Sequence, residues 1–117
     1  MTRLTTHVLD TAAGLPAAGL CGTLWRCTAE GRARVVDFVT NGDGRVDAPL
    51  LEGAAFAVGI YELCFEVAAY YTARGVALPD PPFLDVVSLR FGIADGLAKY
   101  HVPLLLSPWS YSTYRGS

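Results

Sequence analysis

Apolar and polar residues alternate along most of this chain with the two-residue period of β-strands. "LTTHVLD" (residues 4–10) sets Thr5, His7 and Leu9 on one face, opposite Val8. "GTLWRCTA" and "RARVVDFVT" are β-branched and aromatic runs joined by a short loop at Gly31, which predicts a hairpin. "IYELCFEV" gives the clearest strand, with Tyr61, Leu63, Phe65 and Val67 on one face and Glu62, Cys64 and Glu66 on the other. The alanines of "AAYYTARG" then favour a short helix, and Gly75 stands where its C-terminal cap would be. A longer helix from near Tyr61 is the rival reading. Pro79, Pro81 and Pro82 forbid regular structure in "ALPDPPF". "FLDVVSLRFGI" and "KYHVPLLL" predict two more strands, and "SPWSYSTYR" a proline turn with a final strand. About seven short strands, one helix and no repeat predict an all-β fold, a two-sheet sandwich. No linker divides the chain, so residues 1–117 are expected to be one domain.

Composition adds a partner to this picture. The chain is 52% hydrophobic and only 17% charged, against about 25% charged in ordinary soluble domains. A small domain this poor in charge has apolar surface left once its core is filled, which points to a symmetric homo-oligomer. The net charge of −2 supplies no basic stripe for nucleic acid. No apolar run approaches the roughly 20 residues of a membrane helix. "MTRLTTHVLD" has no apolar signal core, and "RGS" is not the peroxisomal tripeptide, so a cytoplasmic protein is expected. Cys21, Cys27 and Cys64 are odd in number, with no Cys-x-x-Cys, and read as small buried hydrophobes rather than a disulfide framework.

Candidate chemistry is sparse. His7 and His101 are the only histidines. A lone strand histidine is more often structural, but two of them suit acid–base work near neutrality. "TNGDGRVDAPLLEG" is the longest polar loop. Asn41, Asp43 and Asp47, with Glu52 at the twelfth place, have the outline of a calcium loop. Arg45 and Val46 then occupy the fifth and sixth places, where a ligand and a glycine are required, which excludes it. Turn chemistry explains the Asn-Gly and Asp-Gly pairs but not an arginine held between them. Its planar fork suits a ligand rich in carbonyl and ring-nitrogen atoms. No nucleophile elbow, phosphate loop or zinc-protease motif is present. Two histidines make a poor zinc site, so a metal-free mechanism is expected.

Taken together, "LTTHVLDTAAGLPA", "TNGDGR" and "YHVPLLLSPWSYSTYRGS" resemble the 5-hydroxyisourate hydrolases, the transthyretin-like enzymes of purine breakdown. "GIYELCFEVAAYYTARG" and "PFLDVVSLRF" extend the resemblance over essentially the whole chain, and the terminal Tyr-Arg-Gly-Ser is its most specific part. The resemblance implies a transthyretin-like sandwich of two four-stranded sheets, assembled as a homotetramer (a dimer of dimers) with sites in a central channel. It implies hydrolysis of 5-hydroxyisourate to 2-oxo-4-hydroxy-4-carboxy-5-ureidoimidazoline without a cofactor. The matching site residues are His7, Arg45, His101 and the terminal Tyr114, Arg115, Gly116 and Ser117. In that scheme His7 is the first choice of base and Arg45 grips the substrate and the oxyanion. His101 orients or relays the proton with help from Ser117, and Tyr114 hydrogen-bonds substrate. The assignment of base and relay between the two histidines stays open. Family members often read His-Tyr-His-Val where this chain reads Lys99-Tyr100-His101-Val102. The alternative is a transthyretin-like carrier of a small molecule or hormone, without catalysis.

Overall fold

The computed structural model describes residues 2–116. Eight residues form β1 (Arg3–Asp10), and its alternation sorts Leu4, Thr6, Val8 and Asp10 inward and Arg3, Thr5, His7 and Leu9 outward. The remaining strands are β2 (Leu15–Pro16), β3 (Cys21–Thr28), β4 (Gly31–Val39), β5 (Leu51–Glu52), β6 (Gly59–Glu66), β7 (Val86–Ile93), β8 (Lys99–Leu106) and β9 (Tyr111–Thr113). One sheet runs β2-β1-β8-β9, with β5 sharing the β1 edge that β2 occupies further along. The other runs β4-β3-β6-β7. The result is a transthyretin-like sandwich, each sheet four strands wide.

The two-residue strands β2 and β5 escaped the sequence pattern, since a pair of residues has no period to detect. The predicted hairpin is present, with Thr28 opposite Gly31. Its partner β6 is a strand throughout, so the longer helix from Tyr61 does not form. The one α-helix among the described residues, α1 (Val67–Ala73), buries Val67, Tyr70 and Tyr71. It ends where Gly75 takes φ +79° and donates its N–H to the Thr72 carbonyl at 3.0 Å. No helix among the described residues is long and apolar enough to cross a membrane.

The core lies between the sheets. Leu4, Leu24, Leu63, Phe65, Leu104 and Leu106 are wholly excluded from solvent. Burying each such side chain contributes about 1.5–3 kcal/mol, so Leu63→Ala costs about 2–5 kcal/mol. Asp10, at the inner end of β1, is 2% exposed and fully partnered. Its Oδ1 accepts from the N–H groups of Ala12 and Ala13, both at 3.1 Å, and from the Tyr71 hydroxyl at 3.0 Å. Its Oδ2 accepts from Tyr70 at 2.9 Å. Burial, reinforced by the Asp10 hydrogen bond, pushes the Tyr70 phenol up to about 12 and raises Tyr71 likewise. One short motif therefore splits by parity: His7 faces out and Asp10 faces in as a structural bolt. Of the three cysteines only Cys64 is buried; Cys27 is half-buried and Cys21 exposed. Cys21 is the outward neighbour of buried Gly22 on β3, where the sheet's outer face is uncovered.

Candidate active site

The site is built on the outer face of the β1/β8 pair. These strands are parallel, and their register sets Arg3 beside Lys99, Thr5 beside His101 and His7 beside Pro103. Side chains of one parity share a face, so one stripe carries two histidines and two cations. The Thr5 hydroxyl lies 2.8 Å from His101 Nδ1 and fixes the ring. Burial first, then the charge of Arg45, then His7, lowers the His101 pKa below the ordinary histidine value. Near neutral pH His101 is therefore an uncharged imidazole, able to accept a proton.

Arg45 comes from the loop after β4, and the loop is held by its own side chains. Asn41 Oδ1 accepts from the N–H groups of Asp43 at 2.9 Å and Arg45 at 3.2 Å. Its Nδ2 donates to Asp47 Oδ1 at 2.9 Å. Buried Thr40 anchors the entry, donating to the Ala17 carbonyl at 2.6 Å and accepting from the Leu20 N–H at 2.9 Å. Gly44 docks the turn on β1, accepting from the Val8 N–H at 2.8 Å. It has φ +75°, and a Cβ there would overlap the Val8 carbonyl oxygen, so only glycine fits. The turn then pairs Arg45 with His7 as an isolated bridge, filling the β1 edge between β2 and β5. His7 Nε2 lies 2.8 Å from the Asp43 carbonyl oxygen. A carbonyl can only accept, so Nε2 carries the proton and the neutral ring leaves its lone pair on Nδ1.

The tail reaches the same face from the other side. β9 pairs antiparallel with β8 up to Leu104 opposite Thr113. The ladder then breaks and resumes as a bridge between His101 and Gly116, whose N–H donates to the His101 carbonyl at 2.7 Å. The break has a cause. In an antiparallel ladder alternate pairs exchange hydrogen bonds, so the next bonded position beyond Gly116 is Tyr114 opposite Pro103, and proline has no N–H to give. The Pro103 carbonyl accepts instead from the Thr113 hydroxyl at 2.7 Å. Gly116 lies against the imidazole: a Cβ there would come within 2.8 Å of His101 Cδ2. Arg115 stacks its guanidinium 4.1 Å from the Tyr100 ring centroid and reaches the Lys99 carbonyl at 3.3 Å.

These elements frame a cleft of about 290 Å³ lined by Arg3, Thr5, Arg45, Lys99, Tyr100 and His101. His7 stands beside it, tied to Asp43 and Arg45. Tyr114 is turned elsewhere, lining an apolar cavity of about 430 Å³ with Tyr111, Thr113 and residues of β7. Ser117 lies outside the described residues. Gly116 was singled out in the sequence, as part of the terminal motif; Thr5, Gly44 and the Asp43 carbonyl were not. Only Thr5 had a signal there, sharing the parity of His7.

The fold and this histidine–arginine face define the class: a transthyretin-like sandwich whose outer β1/β8 face carries acid–base groups. The profile of the HIUase/Transthyretin family matches residues 4–116. The 5-hydroxyisourate hydrolase of Ralstonia nicotianae is 64% identical over 117 residues, the full length of both chains. Among solved structures, (S)-allantoin synthase superposes with a TM-score of 0.94 at 48% identity, over 99% of this chain; the chain spans 44% of that protein. Sea bream transthyretin, solved in complex with thyroxine, superposes with a TM-score of 0.87 at 30% identity, over 97% of this chain and 94% of its own. The chain belongs to the HIUase/transthyretin family.

Proposed function

We propose that this protein hydrolyses 5-hydroxyisourate in urate degradation, with no metal in the reaction. The observation that carries this reading is the convergence of His101, His7 and Arg45 on one cleft face, beside a full-length likeness to a protein of that activity. A carrier needs no neutral imidazole held by a threonine beside a guanidinium that has no carboxylate partner among the described residues.

In the proposed step water attacks a carbonyl carbon of the six-membered ring. His101 takes the water's proton as the new C–O bond forms. What supports His101 as base, with His7 as relay, is its place in the cleft and its lowered pKa. In the tautomer whose Nδ1–H donates to the Thr5 hydroxyl, Nε2 is the basic atom. Arg45 receives the oxyanion on its planar fork. The ring C–N bond then breaks, the leaving nitrogen takes the proton back from the histidine pair, and the acyl carbon is left as a carboxylic acid that gives its proton to solvent to become a carboxylate. Tyr114 would reach substrate only in a cleft completed by another copy, and Ser117 would complete the tail's contribution.

A homotetramer accompanies this proposal. β7 and β9 are edge strands, which leave backbone groups open to pairing. Phe83 at 68%, Trp109 at 59% and Leu15 at 59% exposed supply apolar area to cover. Light scattering should give about four times 12.5 kDa; a monomer at micromolar concentration contradicts the assembly. The activity is tested by adding the protein to freshly made 5-hydroxyisourate and following ultraviolet absorbance. The decay rate should rise in proportion to protein concentration, and a rate equal to the spontaneous one overturns the reading.

A further inference from the structure

The outer faces of the two sheets treat positive charge differently. On the β4/β3/β6/β7 sheet three arginines are paired with carboxylates: Arg32 and Arg90 hold the two oxygens of Glu62 at 3.2 and 3.3 Å, and Arg34 holds Asp37 at 2.8 Å. On the β1/β8 face Arg3, Arg45 and Lys99 line one cleft, and among the described residues none of them has a carboxylate within salt-bridge distance. None of their charged ends donates a hydrogen bond to another described residue either. Arg3 and Lys99 are direct partners in the parallel register. Like charges placed opposite one another destabilise a sheet, in a chain whose net charge is −2.

We propose that Arg3 and Lys99 form an anion subsite next to His101, which receives the carboxylate that ring opening creates. The inference rests on the hydrolase reading for the identity of its ligand, and its chemistry follows from that reaction. Hydrolysis turns a neutral ring amide into a carboxylate, so negative charge appears beside the reacting carbon. Arg45 is one group and meets the oxyanion at the attacked carbonyl. Two further cations on the same wall give the new charge a place to go as the C–N bond breaks. Arg3 and Lys99 are thus specificity-determining residues that prefer the anionic state of the ligand to the neutral one.

The test uses the full-length protein and two probes that differ in charge and by one methyl group: orotate, a ring carboxylate, and its neutral methyl ester. Isothermal titration gives both affinities for the parent and for Arg3→Gln, Lys99→Gln and the double variant. Both side chains are exposed, so neither change threatens the fold. Each exposed charge pair is worth a small factor, so the parent should favour orotate by about fivefold or more, and the double variant by about twofold or less. Arg34→Gln, on the far sheet, removes the same charge and should leave the ratio unchanged. A parent that binds both probes equally, or neither, overturns the subsite. So does a preference that survives in the double variant or falls equally in Arg34→Gln. Titration requires no turnover, so a protein inactive on 5-hydroxyisourate would sink the hydrolase reading while the orotate ratio still decides the subsite. If both stand, the double variant keeps the pH profile of hydrolysis while losing affinity for the carboxylate.

Discussion

Two segments deliver the site to the β1/β8 face, and they are held by opposite means. The loop from Thr40 to Asp47 is organised from within: Asn41 alone satisfies two backbone N–H groups and one carboxylate inside the loop. Among the described residues, the tail after β9 has no such internal hydrogen bonds. It is attached by contacts to β8, through the Thr113 hydroxyl, the Arg115 stack on Tyr100 and the Gly116 N–H. A self-ordered loop presents Arg45 wherever the loop docks. A borrowed tail is ordered only where β8 lets it be, and Pro103 decides that place. The loop therefore brings the Arg45 charge to the site, and the tail packs against the His101 ring that Thr5 holds.

The largest break in this comparison is removal of residues 114–117. The described part of that segment adds few core contacts, since Tyr114 and Arg115 are exposed. The fold should persist while activity drops by about 10²–10⁴, the usual loss for displaced acid–base partners. Activity and oligomer mass are measured on one sample, and a tetramer hydrolysing at the parent rate would show the tail to be structural only. The corresponding break in the loop is Gly44→Ala. It forces a left-handed φ on alanine and a clash with the Val8 carbonyl, costing about 1–3 kcal/mol. Because the turn carries both Arg45 and the carbonyl that holds His7, kcat/KM should also fall by at least about tenfold; thermal melts and steady-state rates check the two parts.

Much of this was legible in the chain. The period-2 runs gave the long strands and the parity of His7, because alternation is a local property. The glycine-punctuated loop marked Arg45, because tight turns need particular residues. What pairs with what was not legible. The parallel β1/β8 register joins residues 96 positions apart, such as Thr5 and His101, and no local pattern encodes it. Tyr114 was grouped with the site through the resemblance carried by the terminal Tyr-Arg-Gly-Ser. In the single chain it lines the apolar cavity beside β7, a placement visible only once β8 and β9 are paired.

Arg45 substitutions sharpen the contrast. Arg45→Lys keeps the charge and loses the fork; Arg45→Gln loses both. Each should lower kcat/KM by about tenfold or more, the scale of a lost oxyanion donor. They should differ in pH dependence. His101 must be neutral to act, and its pKa is lowered, so parent activity persists down to the ordinary histidine range of about 6.5 and falls below it. Arg45 contributes to that lowering, so its removal lets the pKa rise, and the acid limb of Arg45→Gln moves to higher pH while that of Arg45→Lys stays. Profiles from pH 5 to 8, corrected for spontaneous decay, decide this; identical limbs would detach Arg45 from His101. The smallest expected effect is Gly116→Ala. Its Cβ would press on His101 Cδ2 and tilt the ring, lowering kcat by about threefold to tenfold with KM little changed, since ~1 kcal/mol of misplacement is roughly a fivefold rate effect.

The central claim is that the β1/β8 face hydrolyses 5-hydroxyisourate through His101. It is tested most directly by the decay of freshly generated 5-hydroxyisourate at neutral pH, with parent protein and His101→Asn measured side by side. Asparagine keeps a polar group near Thr5 and Gly116 but cannot take a proton. The parent should accelerate decay in proportion to its concentration, and the variant should fall by about 10²–10⁴ toward the spontaneous rate. Parent-like decay with His101→Asn, or a parent no faster than buffer, contradicts the account.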